Sequence, residues 1–173
     1  LGDALTTHPD VDKVAFTGST EVGRAIMAKA AGTLKKVTLE CGGKSANIVL
    51  HDANWDIAID GSIFASFYHQ GQVCESGTRL LLPKDQHDDF VAQMVRKLES
   101  MPMGDPLDPA TKVGPVVSER QMQSVLDYIE IGKQEGAALA CGCERATEGD
   151  LANGCFIKPT VFTGVTNDMR IAR

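Results

Sequence analysis

Lys13–Ala30, which reads KVAFTGSTEVGRAIMAKA, has the pattern of a strand, a turn and a helix. Its opening residues, KVAF, are typical of a short buried strand, and the turn TGST follows. Val22 and Ile26 then share one face of a helix that Ser19 or Thr20 can cap. This order brings free backbone N–H groups together where a phosphate could bind. The G-x-G-x-x-G fingerprint of dinucleotide-binding turns is absent, so the pattern also fits an ordinary strand-to-helix turn.

Downstream of this unit the sequence predicts two more strands. Lys36–Leu39 alternates and delivers Glu40 at its carboxyl end, and Ser45–Leu50 is the next candidate. Ligands of open α/β folds sit beyond the carboxyl ends of strands, where both Ser19 and Glu40 would fall. Beside two glycines, Glu40 could be a mobile carboxylate that acts as a general base. The alternative is a solvated glutamate in a turn.

The rest of the chain continues to alternate strands and helices. A helix is predicted over Asn54–Phe67, with Ile57, Ile63, Phe64 and Phe67 facing inward, and an amphipathic helix over Gln86–Met101. Ser118 and Gln121 form a capping box for a further helix. Strands are predicted at Thr78–Leu82, Ala137–Ala140 and Cys155–Phe162, the last an edge strand interrupted by Pro159. The alternation indicates an α/β fold with a largely parallel sheet, and we place a boundary near Cys41.

A single cysteine stands in the polar turn that follows the first of these helices. The turn reads HQGQVCESGT, with Cys74 between Gly71 and Gly77. The two glycines allow a sharp bend and close approach to a ligand. Hydrogen bonds from neighbouring groups would lower the pKa of the thiol and favour the reactive thiolate. The alternative is a partly buried loop cysteine without a chemical role.

Composition and charge exclude several classes of function. The net charge of −6 leaves no basic footprint, which argues against a nucleic-acid partner. No apolar run approaches the length of a membrane span. The five cysteines are an odd number without a disulfide pattern, so we expect free thiols and a cytoplasmic location. Cys141-Gly142-Cys143 lacks a nearby second pair at zinc spacing, and we expect a surface loop there and no metal site.

Three motifs in register resemble the aldehyde dehydrogenase superfamily. They are FTGSTEVG at residues 16–23, LECGGKS at residues 39–45 and GQVC at residues 71–74. The resemblance continues through GDP at 104–106, VGP at 113–115 and KPTVF at 158–162 to NDMR at 167–170. Each motif is moderately specific, but their order and spacing together are very specific.

The resemblance implies roles for individual residues. Cys74 is the expected nucleophile and Glu40 the expected base. The expected cofactor is NAD or NADP, and no metal is expected. The residues expected to contact the cofactor are Thr17, Gly18, Ser19, Val22, Gly23 and Cys41, with Thr17 and Cys41 near its nicotinamide end.

The resemblance also implies a domain organisation and partners. Residues 1–40 are expected to be the C-terminal part of a Rossmann-type cofactor domain. Residues 41–173 are expected to be most of an α/β catalytic domain that carries the thiol and is incomplete at its C-terminus. Family members are much longer, so we expect an internal fragment that lacks the upstream oxyanion-hole asparagine. The expected partners are an aldehyde substrate and, in the full-length form, further copies of the same chain.

Two residues depart from the family pattern. Cys41 stands where Leu is common, and it adds a second thiol near the expected site. His69 stands where the family often has Asn, and we expect it to tune the substrate pocket.

Two rival functions stay open on the sequence. A CoA-acylating aldehyde dehydrogenase would transfer the acyl group to CoA, but such enzymes typically lack the base at the position of Glu40. A truncated, non-catalytic fragment would at most associate with partner subunits. Measuring NADH formation separates the catalytic readings from the non-catalytic one.

Overall fold

The computed structural model describes residues 1–173 and divides them into two compact units, Leu1–Gly43 and Lys44–Arg173. The helices are α1 (Gly2–Thr7), α2 (Thr20–Ala30), α3 (Trp55–Phe67), α4 (His87–Glu99) and α5 (Glu119–Gln134). The strands are β1 (Lys13–Gly18), β2 (Lys36–Cys41), β3 (Ala46–Ile48), β4 (Arg79–Leu81), β5 (Ala138–Cys141) and β6 (Val161–Thr163). The functional assignment of the two parts stays a prediction.

The first unit is a parallel strand pair with a helix packed on one face. β1 and β2 run in register from Lys13 beside Lys36 to Gly18 beside Cys41. Exposed and half-buried residues alternate along both strands, and α2 contacts both of them. The predicted strand at Lys13–Phe16 is confirmed, but it is not fully buried: Val14 and Phe16 are half-buried, and Lys13 and Ala15 are exposed.

The cap predicted for α2 is formed by Ser19. Its hydroxyl accepts a hydrogen bond from the backbone N–H of Val22 at 3.3 Å. Such a cap typically contributes about 1 kcal/mol to helix stability. Ser19 directly follows β1, so the cap also fixes where the strand ends and the helix begins.

The second unit has its hydrophobic core between α3, α4 and the strands. The buried cluster consists of Val49, Ile59, Ile63, Phe90, Met94, Leu98 and Cys141. Phe90 is only 1% exposed, and its ring meets Trp55 edge-on, with 5.6 Å between the ring centroids. The predicted apolar face of α4 therefore belongs to the hydrophobic core, as the helical spacing of its apolar residues indicates.

The prediction that four apolar residues of α3 face inward is half wrong. Ile63 is buried and Phe67 packs against the core, but Ile57 is 72% exposed and Phe64 is 64% exposed. The reason is that α3 carries apolar residues around its whole circumference, so its sequence does not distinguish a buried face.

The strands form three separate pairs instead of one largely parallel sheet. β1 with β2 and β3 with β4 are parallel, whereas β5 with β6 is antiparallel. The strand predicted at Cys155–Phe162 is reduced to Val161–Thr163, and Ile157 makes only an isolated bridge to Arg145. Pro159 has no N–H to donate, which accounts for the late start of β6.

Candidate functional site

Cys74 lies on an exposed loop between α3 and β4. A short helical turn at Tyr68–Gly71 follows α3, and the chain re-enters a strand at Arg79. The thiol is free and exposed, and no hydrogen bond reaches its sulfur. The expected hydrogen bonds to the thiol are thus absent. The backbone N–H of Cys74 also has no partner within the chain, so it can donate to a bound group.

The turn before Cys74 has an uncommon backbone conformation. His69, Gln70 and Gly71 are all left-handed, with φ of 49°, 57° and 73°. A side chain in this region costs roughly 1–2 kcal/mol, and Asn and His are among the residues that tolerate it best. Asn and His thus both tolerate the left-handed backbone conformation that position 69 adopts. The His69 ring packs edge-on to Tyr68, with 4.5 Å between the ring centroids.

Hydrogen bonds fasten the loop on its carboxyl side. The Gly77 N–H donates to the carbonyl oxygen of Ala65 at 3.0 Å, and the Ser66 hydroxyl donates to the carbonyl oxygen of Gly77 at 3.2 Å. Gly77 is buried, and a Cβ placed on it would lie 3.0 Å from the Cβ of Asn47. Position 77 requires glycine because α3 and β3 approach it too closely for a side chain.

Two glutamine side chains fasten the loop on its amino side. The Gln72 amide oxygen accepts from the Val117 N–H at 3.1 Å, and its nitrogen donates to the His69 carbonyl oxygen at 3.1 Å. The Gln70 amide, oriented to satisfy both its ends, accepts from the Gly114 N–H at 3.0 Å. Sequence reasoning missed these contacts. Their only signal was that VGP at residues 113–115 belongs to the same family resemblance as the cysteine motif at residues 71–74.

Glu40 and three of the predicted cofactor-binding residues lie together at the carboxyl end of the first unit's strand pair. Glu40 is beside Thr17, and Cys41 is beside Gly18. The Glu40 side chain is exposed, and a Cβ placed on Gly42 or Gly43 would meet nothing within 4 Å. The carboxylate can therefore change its orientation without displacing packed atoms.

The amino end of α2 offers hydrogen-bond donors for an anion. The N–H of Thr20 has no partner within the chain, and the helix dipole favours negative charge there. Glu21 occupies part of this site. Hydrogen bonds from its own backbone N–H and from the Ser19 hydroxyl hold the pKa of the Glu21 carboxyl below its usual value.

Gly23 has a packing role in the first unit. It is a buried residue of α2, and a Cβ placed on it would lie 3.3 Å from Leu39 Cδ1 and 3.4 Å from Cys41 Sγ. A larger residue would push the helix away from β2. Val22, in contrast, is 47% exposed and is available for contact.

A cavity of about 550 Å³ lies in the second unit. Its lining includes Phe67, Leu80, Met94 and Phe162, and it does not include Cys74. Burial lowers the pKa of Lys44 at the edge of this cavity, where the ammonium lies 5.4 Å from the centre of the Tyr128 ring. The cavity is largely apolar and adjoins the thiol loop through Gln70 and Thr78.

The structure contains neither a metal cluster nor a helix suited to a membrane. No group of three or more His, Cys, Asp or Glu side chains is arranged to hold a metal ion. None of the helices combines the length and the apolar character that crossing a bilayer requires. Cys141 is buried in the core, so it does not lie in a surface loop as expected, whereas Cys143 is half-buried.

Comparison with known proteins identifies the family. The model of the aldehyde dehydrogenase family matches residues 1–173. A betaine aldehyde dehydrogenase from Staphylococcus aureus, in complex with NAD+, is 36% identical with a TM-score of 0.97, and the match covers 99% of this chain and 34% of that one. An aldehyde dehydrogenase from Bacillus cereus, in an NAD+ complex, is 45% identical with a TM-score of 0.94, over 99% and 34% of the two chains. A putative aldehyde dehydrogenase from Burkholderia cenocepacia is 42% identical with a TM-score of 0.96, over 99% and 35%.

These matches confirm the predicted α/β class and the predicted aldehyde dehydrogenase-like fold. This chain spans about a third of the length of the solved structures that it matches. On the family match over its whole length, the chain belongs to the aldehyde dehydrogenase family.

Proposed function

We propose that the polypeptide carrying this chain oxidises an aldehyde to a carboxylic acid with NAD or NADP, and that Cys74 is the nucleophile. The observation that supports this most is the Cys74 loop. It presents an exposed thiol beside an unpaired backbone N–H, on a turn fastened at both ends, in a member of the aldehyde dehydrogenase family.

The Cys74 thiolate attacks the aldehyde carbon and forms a thiohemiacetal. Negative charge develops on the former carbonyl oxygen, and the free N–H of Cys74 can donate to it. A donor placed in this way typically contributes about 3 kcal/mol to stabilising the transition state. No hydrogen bond polarises the sulfur within the second unit, so the thiol needs a base to become a thiolate.

The residues of the first unit fit a dinucleotide. The Thr20 N–H and the α2 dipole suit a phosphate, and Ser19 and Val22 are exposed at the same helix end. Thr17, Gly18 and Cys41 lie at the carboxyl end of the strand pair, and Gly23 holds the helix close to β2. When bound, NAD or NADP supplies the hydride acceptor of the reaction. Two of the similar solved structures are described as NAD+ complexes, which favours NAD.

Glu40 is the proposed general base. Its carboxylate is exposed, and in the proposed mechanism it accepts the thiol proton directly or through water. After hydride transfer the acyl group remains on Cys74 as a thioester. Glu40 first releases the thiol proton to solvent. It then takes a proton from the water that attacks the thioester carbon, and the carboxylic acid leaves as the Cys74 thiolate is released.

A CoA-acylating reaction is the second candidate within the same family. It would release the acyl group to the thiol of CoA, and it does not need a base at position 40. The presence of Glu40 therefore favours hydrolysis. Adding CoA and assaying for acyl-CoA separates the two reactions.

Assembly of the full-length polypeptide with further copies of itself remains part of the proposal. The exposed apolar side chains of Ile57 and Phe64 on α3 support it, because large exposed apolar side chains on one helix favour association. Sedimentation of wild-type protein beside a Phe64→Lys variant tests this surface.

The test of the proposed function is NADH formation from a panel of aldehydes. It uses a dehydrogenase-competent polypeptide that contains residues 1–173. We expect Cys74→Ser to remove nearly all turnover, while Cys155→Ser, which changes another loop cysteine of the same unit, leaves turnover near the wild-type rate. Full turnover in the Cys74→Ser variant would show that the nucleophile has been assigned wrongly.

A further inference from the structure

The Cys74 loop depends on two glutamine side chains that the proposed chemistry does not use. Gln70 accepts from the Gly114 N–H at 3.0 Å and can donate to the carbonyl oxygens of Pro115 and His69, both at 3.3 Å. Gln72 bonds to Val117 and His69, both at 3.1 Å. Both glutamines thus join the thiol loop to residues 113–117, more than 40 positions away in the sequence.

The two anchors differ in their exposure to water. Gly114 is buried and Gln70 is half-buried, and the Gly114 N–H has no other partner within the chain. If the Gln70 amide is removed, that donor loses its bond in a place that water reaches poorly. Gln72 and Val117 are both exposed, so water can replace their bond. Gln70 is therefore the stronger anchor.

Gln70 is also part of the strained turn. Its left-handed backbone lies between those of His69 and Gly71, and such conformations persist only where the surroundings hold them. The Gln70 amide stabilises this conformation, because it forms hydrogen bonds both with His69 in the turn and with Gly114 and Pro115. The sulfur of Cys74 has no hydrogen bond, so only the loop backbone determines its position.

We infer that Gln70 is a positioning residue for Cys74 and that Gln72 is a weaker second anchor. Both residues attach the thiol loop to residues 113–117, which we call the supporting segment. This inference rests on the proposed role of Cys74. It assigns a function to the VGP motif, which takes no part in the chemical steps. It also predicts that weakening the attachment of the loop to residues 113–117 lowers kcat more than it weakens substrate binding.

The first experiment measures the loop itself and does not require activity. Hydrogen exchange of the amides in residues 71–77 is compared among wild-type chain, Gln70→Leu and the control Gln123→Leu. Gln123 lies exposed on α5, and its amide bonds only to Asp127. We expect exchange in the loop to become about tenfold faster in Gln70→Leu, with the amides of α4 unchanged in both variants. Unchanged exchange in the loop would overturn the inference.

The second experiment measures catalysis in the dehydrogenase-competent polypeptide. Misplacement of a reacting group by about 1 Å can cost about a hundredfold in rate. We expect Gln70→Leu to lower kcat about tenfold to a hundredfold, with KM for the aldehyde changed less than about twofold, and Gln72→Leu to have a smaller effect of the same kind. A kcat within about twofold of wild type in a folded Gln70→Leu protein would overturn the inference. If Gln70→Leu does not fold, the pH dependence of the Gln70→Glu variant decides.

A third variant separates positioning from a general loss of structure. In Gln70→Glu, an ionised carboxylate would face the carbonyl oxygens of Pro115 and His69, whereas a protonated carboxyl can donate to one of them. We expect the ratio of variant to wild-type kcat to rise as the pH falls from about 8 to about 5. A ratio that does not change with pH would contradict the role of the amide donor. Failure of the proposed function would be seen separately, as turnover that survives Cys74→Ser.

Discussion

Gly77→Ala tests whether close packing behind the thiol loop positions Cys74. The new methyl carbon would lie 3.0 Å from the Cβ of Asn47 and 3.5 Å from the Cβ of Ala65. Both atoms are attached directly to backbone, on β3 and α3, so neither can swing away as the end of a long side chain could. The loop must therefore move outward by a few tenths of an ångström.

Overpacking of this kind typically costs about 1–3 kcal/mol. The Ser66 and Ala65 hydrogen bonds to Gly77 would lengthen as the loop moves, which places the expected cost in the upper half of that range. We also expect a fall in kcat of about tenfold or more, because the shift is passed along the backbone to Cys74.

Urea denaturation followed by tryptophan fluorescence is the appropriate assay. The chain has one tryptophan, Trp55, and it packs on Phe90 in the core of the second unit. Gly61→Ala is the matched control, because Gly61 lies inside α3 with nothing within 4 Å of an added Cβ. Alanine is favoured over glycine in a helix by about 1 kcal/mol, so the control should be stabilised. A Gly77→Ala protein as stable as wild type would refute the packing argument.

Three further predictions concern the base, the core and an ion pair. Glu40→Gln should give one rapid turnover of NADH and then an acyl group retained on Cys74; steady turnover near the wild-type rate would contradict the proposed deacylation step. Phe90→Ala should lower the free energy of unfolding by about 3–5 kcal/mol, whereas Phe64→Ala should change it by less than about 1 kcal/mol, as urea denaturation would show. A hydrogen bond from Arg170 lowers the pKa of Glu135, so Glu135→Gln should reduce the melting temperature at neutral pH. This difference should disappear as the pH falls through the lowered pKa, because the wild-type carboxyl then becomes protonated as well; a constant difference would contradict the assignment.

The elements that local signals specify were predictable from sequence. Ser19, Asn54 and Ser118 each cap the helix that was predicted to start beside them, because a short polar side chain before an apolar run is a local signal. Strand ends were less predictable. β6 begins only at Val161, since the residues before it include a proline and pair with other parts of the chain.

The faces of α3 could not be predicted because burial there is decided by tertiary packing. Ile57 and Ile63 are equally apolar, yet only Ile63 contacts the core. Periodicity identifies a buried face only when the opposite face is polar, and α3 has no polar face.

The candidate site residues come from sequence motifs, and their roles stay predictions; the contacts that support the Cys74 loop were not visible in the sequence. The motifs around Cys74 and Glu40 lie within short stretches, so the sequence makes them visible. The bonds from Gln70 and Gln72 to residues 113–117 join distant segments, and no local pattern encodes them. Left-handed backbone at Gln70 was equally hidden, because glutamine gives no local signal for that conformation.

The most direct test of the central claim is a map of which cysteine the ligands protect. The dehydrogenase-competent polypeptide is alkylated with and without NAD+ and an aldehyde, digested, and the label on each of the five cysteines of residues 1–173 is quantified by mass spectrometry. Cys143 and Cys155 serve as internal controls, since both are free thiols remote in sequence from Cys74 and Glu40. If Cys74 is the nucleophile, we expect the ligands to protect Cys74 and to leave the labelling of the two controls unchanged. Protection confined to Cys41, with Cys74 labelled equally in both conditions, would contradict it.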